Sequence, residues 1–179
     1  MKDVILTGPK HSGKTSDGKA LALLCSCDFI DIDEFIAQRT GKSPRQLFNE
    51  GQAVFQKAEA EALAVLVGSG GADSGGADNG AKPRVIAAGG GIIDNEEALS
   101  VLKKSGAVIV YLDIPAETAW DRIAAEGELP PFLKTENPKE THRILHERRA
   151  EAYLQIAEIV IKAEGKSPQE VADEIHTLL

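Results

Sequence analysis

The sequence predicts an α/β fold in which a parallel β-sheet is covered by helices on both faces. Short apolar runs rich in β-branched residues alternate with longer stretches of helical periodicity along the 179 residues. The apolar runs are nearly continuous, which is typical of strands buried on both faces. Because ligands of such sheets bind beyond the carboxyl ends of the strands, we expect the functional residues to follow the strands.

Five apolar runs are predicted to be strands, and helices are predicted between and after them. The strands are residues 3–7, 29–33, 84–88, 107–114 and 158–163. The helices are residues 14–24, 43–67 with a break near Gly51, 95–106, 115–127, 138–157 and 167–179. Helix 115–127 has proline in its first turn and ends at glycine. Ser167 as N-cap and Glu170 form a capping box for the last helix.

We expect a single domain over residues 1–179, interrupted by an insertion at residues 68–83. The insertion contains the near-repeat GGADSGGADNG and no large apolar residue. Such a composition is typical of a flexible surface loop. We interpret it as a tolerated insertion rather than a binding element.

The charge of the chain excludes two classes of partner. Its formal net charge is −8 and its pI is about 5.1, and an acidic surface repels nucleic acid and anionic membranes. No run approaches 18 apolar residues, and the N-terminus lacks the apolar segment of a signal peptide. Cys25 and Cys27 are too close for an ordinary disulfide. We therefore expect a cytoplasmic protein.

Residues 8–15, GPKHSGKT, match the phosphate-binding pattern G-x-x-x-x-G-K-T between a predicted strand and a predicted helix. Glycines allow a tight loop of inward amides, and the helix N-terminus favours an anion. We expect Lys14 to bridge the β- and γ-phosphates of ATP and Thr15 to bind Mg²⁺. Lys10 either adds charge near the γ-phosphate or points to solvent. The predicted nucleotide-binding residues are Gly8, Lys10, His11, Ser12, Gly13, Lys14, Thr15 and Ser16.

Two carboxylates end the second predicted strand in the sequence FIDIDEF. Strand alternation would place Asp31 and Asp33 on one face, towards the phosphate loop. One carboxylate, Asp31, is predicted to hold Mg²⁺, and the other, Asp33, to accept a proton from an attacking hydroxyl. Asp33 is also a good N-cap for the following helix, and both roles can coexist. After the third strand, Gly89–Gly91 would let a ligand approach the backbone closely.

In order along nearly the whole chain, these motifs resemble those of the shikimate kinase family. The matching features are the phosphate loop, the Asp31–Asp33 pair, residues 39–48, Phe55 with Glu59, Gly89–Gly91, Arg149 with Tyr153, and the closing helix. The resemblance implies a three-layer, nucleoside-monophosphate-kinase-like P-loop fold with a five-stranded parallel sheet of order 2-3-1-4-5. It also implies a lid, at residues 124–137. Because small kinases of this size are often monomeric, we expect a monomer.

The same resemblance implies ATP-dependent phosphorylation of the 3-hydroxyl of shikimate, a step of aromatic amino-acid biosynthesis. Lys14 and Asp33 would then be the catalytic residues, and Arg122 would lie against the adenine. The residues implied at the acceptor are Asp33, Gln56, Glu59, Gly89, Gly90, Gly91 and Arg149.

The chain departs from the family pattern at two positions. Gln56 stands where the family has an arginine that grips the shikimate carboxylate, and a neutral amide cannot form that bidentate ion pair. Pro130 stands where the family has a lid arginine. An arginine that stabilises the transition state of phosphoryl transfer is worth roughly 10³–10⁵ in rate. Lys134 and Lys10 are the candidate substitutes.

These departures leave two alternative functions open. A neutral residue at position 56 suits a related kinase that phosphorylates another polyol or sugar acid. The missing lid arginine suits a nucleotide-binding protein with little kinase activity. A further pair, His142 and His146, lies one helical turn apart, a spacing that can bind a metal; we interpret it instead as part of a solvated face.

Overall fold

The computed structural model of the chain describes residues 1–68 and 82–179. Its strands are β1 (Val4–Thr7), β2 (Asp28–Asp31), β3 (Arg84–Ala87), β4 (Val108–Asp113) and β5 (Ile159–Lys162). Its helices are α1 (Lys14–Cys25), α2 (Ile32–Thr40), α3 (Pro44–Glu50), α4 (Gln52–Gly68), α5 (Glu96–Lys104), α6 (Ala116–Ala125), α7 (Pro138–Leu154) and α8 (Pro168–Leu178). Except for its ends, the predicted insertion 68–83 lies outside the described residues.

All strand pairs are parallel and form one sheet of order β2-β3-β1-β4-β5. The predicted fold class and strand order are therefore confirmed. The central strand β1 pairs with both β3 and β4, so that Val4 lies opposite Val85 and Val108. The loop after β1 consequently opens at the middle of the sheet edge, beside the loop after β3.

The strands are apolar throughout because each face of the sheet is covered. In β1, Ile5 packs in a core cluster with residues of α2, α4 and α5. Its neighbours Val4 and Leu6 pack in a second cluster with residues of α1 and α8. All three side chains are fully buried. This two-sided burial explains why the sequence shows continuous apolar runs instead of alternation.

The predicted end of the second strand is wrong. β2 ends at Asp31, and Ile32 already begins α2. The Asp31 carboxylate accepts a hydrogen bond of 3.0 Å from the Asp33 backbone amide, so Asp31 caps the helix and Asp33 lies in its first turn. Asp31 and Asp33 therefore do not share a strand face, because alternation ends where the helix begins.

Two other helix boundaries agree with the sequence, whereas the helix predicted at 138–157 ends at Leu154. A residue with φ of 154°, Gly51, separates α3 from α4 as predicted, and Ser167 forms the predicted capping box with Glu170 at the start of α8. Pro115 is the N-cap of α6 rather than its first helical residue. Among the described residues, no helix is both long enough and apolar enough to cross a membrane.

The interpretation of His142 and His146 as a solvated face is wrong. Both residues are buried on α7. The ring of His142 lies 5.7 Å from that of Trp120 on α6 and 5.6 Å from that of His146. The helical spacing placed both rings on one face, but that face packs inward against α6.

Candidate active site

A cavity of about 340 Å³ opens at the carboxyl edge of the sheet. The loops after β1 and β3, helices α2, α3, α4 and α7, and residues 124–137, the segment predicted to be a lid and called the lid below, contribute to its wall. The residues singled out from the sequence that line it are Lys10, Asp33, Gln56, Glu59, Gly89, Gly90, Gly91, Pro130 and Arg149. Of the predicted nucleotide-binding residues, all of which the structure describes, Lys10 alone lines this cavity, so the phosphate loop borders the acceptor candidates at that residue.

The loop between β1 and α1 needs its glycines. Gly8 has φ of 144°, and a Cβ there would lie 2.7 Å from the carbonyl oxygen of Leu112. Gly13, with φ of 105°, is the N-cap of α1 and supplies no side-chain cap. The end of α1 therefore presents backbone N–H groups and a positive dipole, as an anion site requires. Ser12 is buried in the loop, and Ser16 Oγ donates to the Gly13 carbonyl over 2.9 Å.

Lys14 begins α1, and its side chain reaches back into the loop. Its ammonium donates hydrogen bonds to the carbonyl oxygens of Gly8 at 3.0 Å and Pro9 at 2.6 Å. Loss of hydration lowers the pKa of Lys14 to about 8, although the charges of Asp33 and Asp31 act to raise it. The group is still mainly protonated at neutral pH. It therefore places a positive charge in a loop shaped for phosphate.

Thr15 and Asp31 meet beside the phosphate loop. Thr15 Oγ1 donates a hydrogen bond of 2.8 Å to Asp31 Oδ2. A hydroxyl and a carboxylate are oxygen ligands of the kind that Mg²⁺ prefers, and Mg²⁺ commonly takes its other ligands from water and substrate phosphates. The donor set therefore fits a magnesium ion that shares its coordination with a nucleotide.

Two cations tie the phosphate loop to the end of α6. Lys10 Nζ lies 2.8 Å from the Glu126 carboxylate, with 43% of its side chain exposed. Arg122 donates a hydrogen bond of 2.6 Å to the His11 carbonyl oxygen. Burial and the neighbouring Lys10 lower the pKa of His11, which favours its neutral form. Lys10 thus lies at the boundary between the loop and the lid.

Asp33 projects from the first turn of α2 towards the loop after β3. Its Oδ1 lies 3.8 Å from the position that a Cβ on Gly89 would take. Burial, and then the charge of Asp31, raise the pKa of Asp33, whereas Lys14 and Lys10 act to lower it. A carboxylate with a raised pKa next to a cationic phosphate loop is suited to accept a proton.

The glycines after β3 allow two close approaches. A Cβ on Gly89 would lie 2.6 Å from Glu59 Oε1, and one on Gly90 would lie 2.8 Å from the backbone nitrogen of Lys10. The second contact is to backbone, so it could not be relieved by a side-chain rotation. The glycines therefore let the loop after β3 pack directly against the phosphate loop.

Arg149 on α7 is fixed by a residue that the sequence analysis did not identify. Its Nε and one terminal nitrogen lie 2.8 and 2.7 Å from Asp94 Oδ2. The guanidinium also lies over the ring of Phe132 in the lid, 5.6 Å from its centroid. Its terminal nitrogen is 3.2 Å from where a Cβ on Gly91 would be. Nothing in the sequence around Asp94 indicated this pairing.

Glu59 and Gln56 are linked through a second unidentified residue, Asn95. The Asn95 amide donates to Glu59 Oε2 at 2.9 Å and to the Gln56 carbonyl at 2.7 Å. Glu59 Oε1 is buried without a hydrogen-bond partner. Gln56 itself donates to the Asp94 carbonyl at 3.2 Å. Gln56 thus lies in the cavity wall, with its amide nitrogen already engaged.

The lid residues near Pro130 hold an ion-pair cluster. Glu128 lies 2.7 Å from Arg45 on α3 and 3.4 Å from Lys134. Lys10 lines the cavity, whereas Lys134 is not among the described residues that do. Arg45 does line it, and the sequence analysis included it only within the family-matching residues 39–48.

Replacing Asn95 with alanine is expected to lower the free energy of unfolding by about 2–4 kcal/mol. Asn95 is 3% exposed, caps α5 through the Ala98 amide and donates to Glu59. The change removes a helix cap and leaves a buried carboxyl without its donor. Urea unfolding would measure it. Asn137→Ala is the matched control, because Asn137 caps α7 at an exposed site; equal losses in the two variants would contradict the expectation.

Replacing Glu59 with glutamine is expected to alter the pH dependence of stability. Burial raises the pKa of Glu59 to about 7, helped by Asp33 and Asp94 and opposed by Asn95 and Arg149. A carboxyl whose pKa is higher in the folded state stabilises the fold at low pH and loses that contribution as pH rises to about 7.

The free energy of unfolding of Glu59→Gln minus that of wild type should therefore increase by about 2–3 kcal/mol between pH 5 and 8. Denaturant unfolding at both pH values would measure it. The neutral amide keeps an oxygen that can accept the Asn95 hydrogen bond, so packing is preserved. If the difference in unfolding free energy between Glu59→Gln and wild type were the same at both pH values, the pKa of Glu59 would not be raised in the folded state.

Comparison with known proteins places these residues in a family context. A family model described as "Shikimate kinase" matches residues 10–179. The chain is 35% identical over 176 residues to the shikimate kinase of Persephonella marina, covering 98% of this chain and 97% of that protein. It is 33% identical to the shikimate kinase of Thermodesulfovibrio yellowstonii, covering 98% and 93% respectively.

Solved structures agree with the sequence comparisons. A shikimate kinase from Acinetobacter baumannii in complex with shikimate superposes with a TM-score of 0.84 at 29% identity, over 99% of this chain and 92% of that one. A gluconokinase from Sinorhizobium meliloti, at a TM-score of 0.51 and 16% identity, shares only the fold. The likeness to the first structure extends over nearly the whole chain.

Proposed function

The chain belongs to the shikimate kinase family, and from that premise we propose that it transfers the γ-phosphoryl group of ATP to the 3-hydroxyl of shikimate. It is an ATP-dependent small-molecule kinase. The observation that carries the proposal is that Lys10 of the phosphate loop, Asp33 and Gly89 line one cavity, while the charge of Asp33 also acts on the Lys14 ammonium. Donor and acceptor groups would meet there.

On the donor side, the backbone amides at the start of α1 and the Lys14 ammonium would bind the β- and γ-phosphates. Thr15 and Asp31 would hold Mg²⁺ together with these phosphates, and the ion supplies positive charge to the transferring group when bound. Arg122 would support the nucleotide from the end of α6, where it already contacts the phosphate loop.

On the acceptor side, Asp33 would orient the hydroxyl and receive its proton. As the hydroxyl oxygen bonds to the γ-phosphorus, the bond from that phosphorus to the β–γ bridging oxygen breaks and ADP leaves. Lys14 would stabilise the charge that develops between the two oxygens. Glu59, Arg149 and Gly89–Gly91 would form the wall that positions the acceptor.

A second candidate function is a kinase of the same class that takes another polyol or sugar acid. Gln56 favours it, because its neutral amide lies in the cavity wall and already donates to the Asp94 carbonyl. Family membership supports an enzyme over a nucleotide-binding protein without activity.

A coupled assay of ADP release with MgATP would test the proposal against a panel of acceptors. The panel should contain shikimate, other hydroxy acids, sugar acids and neutral polyols, and phosphorus NMR should locate the phosphate on the product. We expect shikimate to give the highest kcat/KM and a 3-phosphate product. Efficient turnover of another acceptor, with shikimate at background, would overturn the proposal in favour of the second candidate.

A further inference from the structure

The charged residues of the acceptor cavity divide between its walls. Among the described residues, its cations are Lys10, Arg45 and Arg149. Arg149 is held by Asp94 in a two-nitrogen ion pair and is only 17% exposed. Lys10 belongs to the phosphate loop. Arg45 alone among these cations lies on α3, outside the loops that carry the phosphate-binding groups.

The proposed reaction sets the orientation of an acidic acceptor. Its reacting hydroxyl must lie against Asp33 and the phosphate loop, so a carboxylate on the other side of a six-membered ring points towards the wall made by α3 and α4. On that wall the Gln56 amide nitrogen already donates to the Asp94 carbonyl. Arg45 is the cation that this wall supplies.

Resting on the proposed function, we propose that Arg45 binds the carboxylate of the acceptor, exchanging its lid partner Glu128 for the substrate, and so determines the specificity for an acidic acceptor. A planar guanidinium offers paired N–H donors that match a carboxylate. Arg45 lies eleven positions before Gln56 in the sequence, so a cation lines the cavity although residue 56 is neutral.

The present partner of Arg45 is easily exchanged. The Arg45–Glu128 pair spans 2.7 Å, but the two side chains are 51% and 62% exposed, and exposed ion pairs are weak. Glu128 also lies 3.4 Å from Lys134, so it keeps a cationic partner when Arg45 turns to a ligand. The exchange therefore leaves no carboxylate unpaired.

The surroundings of Arg45 favour a bound carboxylate. Pro44, Phe48, Phe55 and Phe132 line the same cavity, and a ring-shaped acceptor between them would displace water. Ion pairs are stronger where water is excluded. A substrate carboxylate at Arg45 should therefore bind more tightly than the solvent-exposed Glu128 does.

Steady-state kinetics of Arg45→Ala would test the inference. We expect KM for shikimate to rise about 10- to 100-fold, the loss typical of a charge-assisted hydrogen-bonded pair, with KM for ATP unchanged and kcat altered much less. For the carboxamide of shikimate, wild type and variant should have similar KM values. An unchanged KM for shikimate in Arg45→Ala would overturn the inference.

Glu128→Gln separates ligand binding from a structural contact to the lid. If Arg45 acted by holding the lid through Glu128, this variant would show the same rise in KM as Arg45→Ala, which would contradict the inference. We expect instead an unchanged or lower KM, because Arg45 loses its competitor. Thermal unfolding of both variants would verify that they are folded.

The wild-type measurement distinguishes the two proposals. Turnover of shikimate without any effect of Arg45→Ala leaves the proposed function standing and refutes the role of Arg45. If wild type turns over another hydroxy acid and not shikimate, the proposed function fails, and the same comparison on that acid and its amide decides the role of Arg45. An uncharged preferred acceptor would refute both.

Discussion

Replacing Lys14 with alanine is expected to reduce kcat by about 10³-fold or more, in the range found for cations that stabilise transferring phosphoryl groups. The Lys14 ammonium sits inside the phosphate loop, 3.0 and 2.6 Å from the carbonyl oxygens of Gly8 and Pro9. No other lysine of the described chain occupies the interior of this loop. Its neighbour Lys10 is engaged with Glu126 at the lid.

Single-turnover measurements with excess enzyme would separate the chemical step from nucleotide binding. Lys14→Arg keeps the positive charge and changes the shape of the side chain. The longer side chain with its guanidinium must displace the loop carbonyls, so we expect most of the activity to be lost. Lys139→Ala is the matched control, since Lys139 is an exposed lysine of α7 whose one ion-pair partner among the described residues is Glu117, at 3.4 Å. Retention of more than about a tenth of the wild-type rate by Lys14→Ala would contradict the role that we assign to it.

The donor half of this site could be predicted from the sequence because its residues are contiguous. The run from Gly8 to Ser16 fixes both the chemistry and the backbone, since the loop lies between a strand and a helix that are separately recognisable. The strand order could also be predicted, because the resemblance covers nearly the whole chain and the apolar runs are long enough to identify every strand.

The end of β2, in contrast, could not be predicted from the sequence pattern. In FIDIDEF the apolar and acidic residues alternate across the boundary, so the pattern alone fits a longer strand. What ends the strand is a local competition: the Asp31 carboxylate accepts from the Asp33 amide and starts α2. Side chains that can cap a helix make such boundaries ambiguous in sequence.

The acceptor half depends on contacts between distant positions. Arg149 is oriented by Asp94, 55 positions away, and Gln56 by the same residue, 38 positions away. Neither pairing leaves a spacing signal. Asn95 could have been anticipated as an N-cap before the helical pattern EEALSVL, but its donation to Glu59 could not. Sequence reasoning therefore located this half of the site without its supporting residues.

The buried carboxyl of Glu59 contributes to the electrostatics of the cavity. Gln56 supplies no charge to Glu59, whose Oε1 is buried without a partner and whose pKa is raised to about 7. Glu59 is therefore partly protonated at neutral pH, which makes the cavity less negative than its carboxyl groups suggest. An acidic acceptor can therefore be accommodated beside Arg45 and Arg149.

Replacing Asp33 with asparagine is expected to reduce kcat by about 10²–10⁴-fold, the range for loss of a positioned general base. The variant keeps a side chain of the same shape, and the backbone hydrogen bond from position 33 to Asp31 is unaffected. The fold and the helix start should therefore persist. Calorimetry with MgADP is expected to give wild-type affinity, which would place the defect in the transfer step.

The pH profile gives this prediction its sharpest test. Because burial and Asp31 raise the pKa of Asp33, the wild-type kcat should fall as pH falls through that raised pKa, where the base becomes protonated. Asp33→Asn should lose this acidic limb together with its rate. Asp31→Asn is the matched control: it should raise the Mg²⁺ concentration needed for half-maximal rate and keep the limb, moved to lower pH because the charge of Asp31 no longer raises the pKa of Asp33. If Asp33→Asn retained both a near-normal rate and the limb, the proton would have to pass to another group, and Glu59, the buried carboxyl at Gly89, would be the residue to replace next.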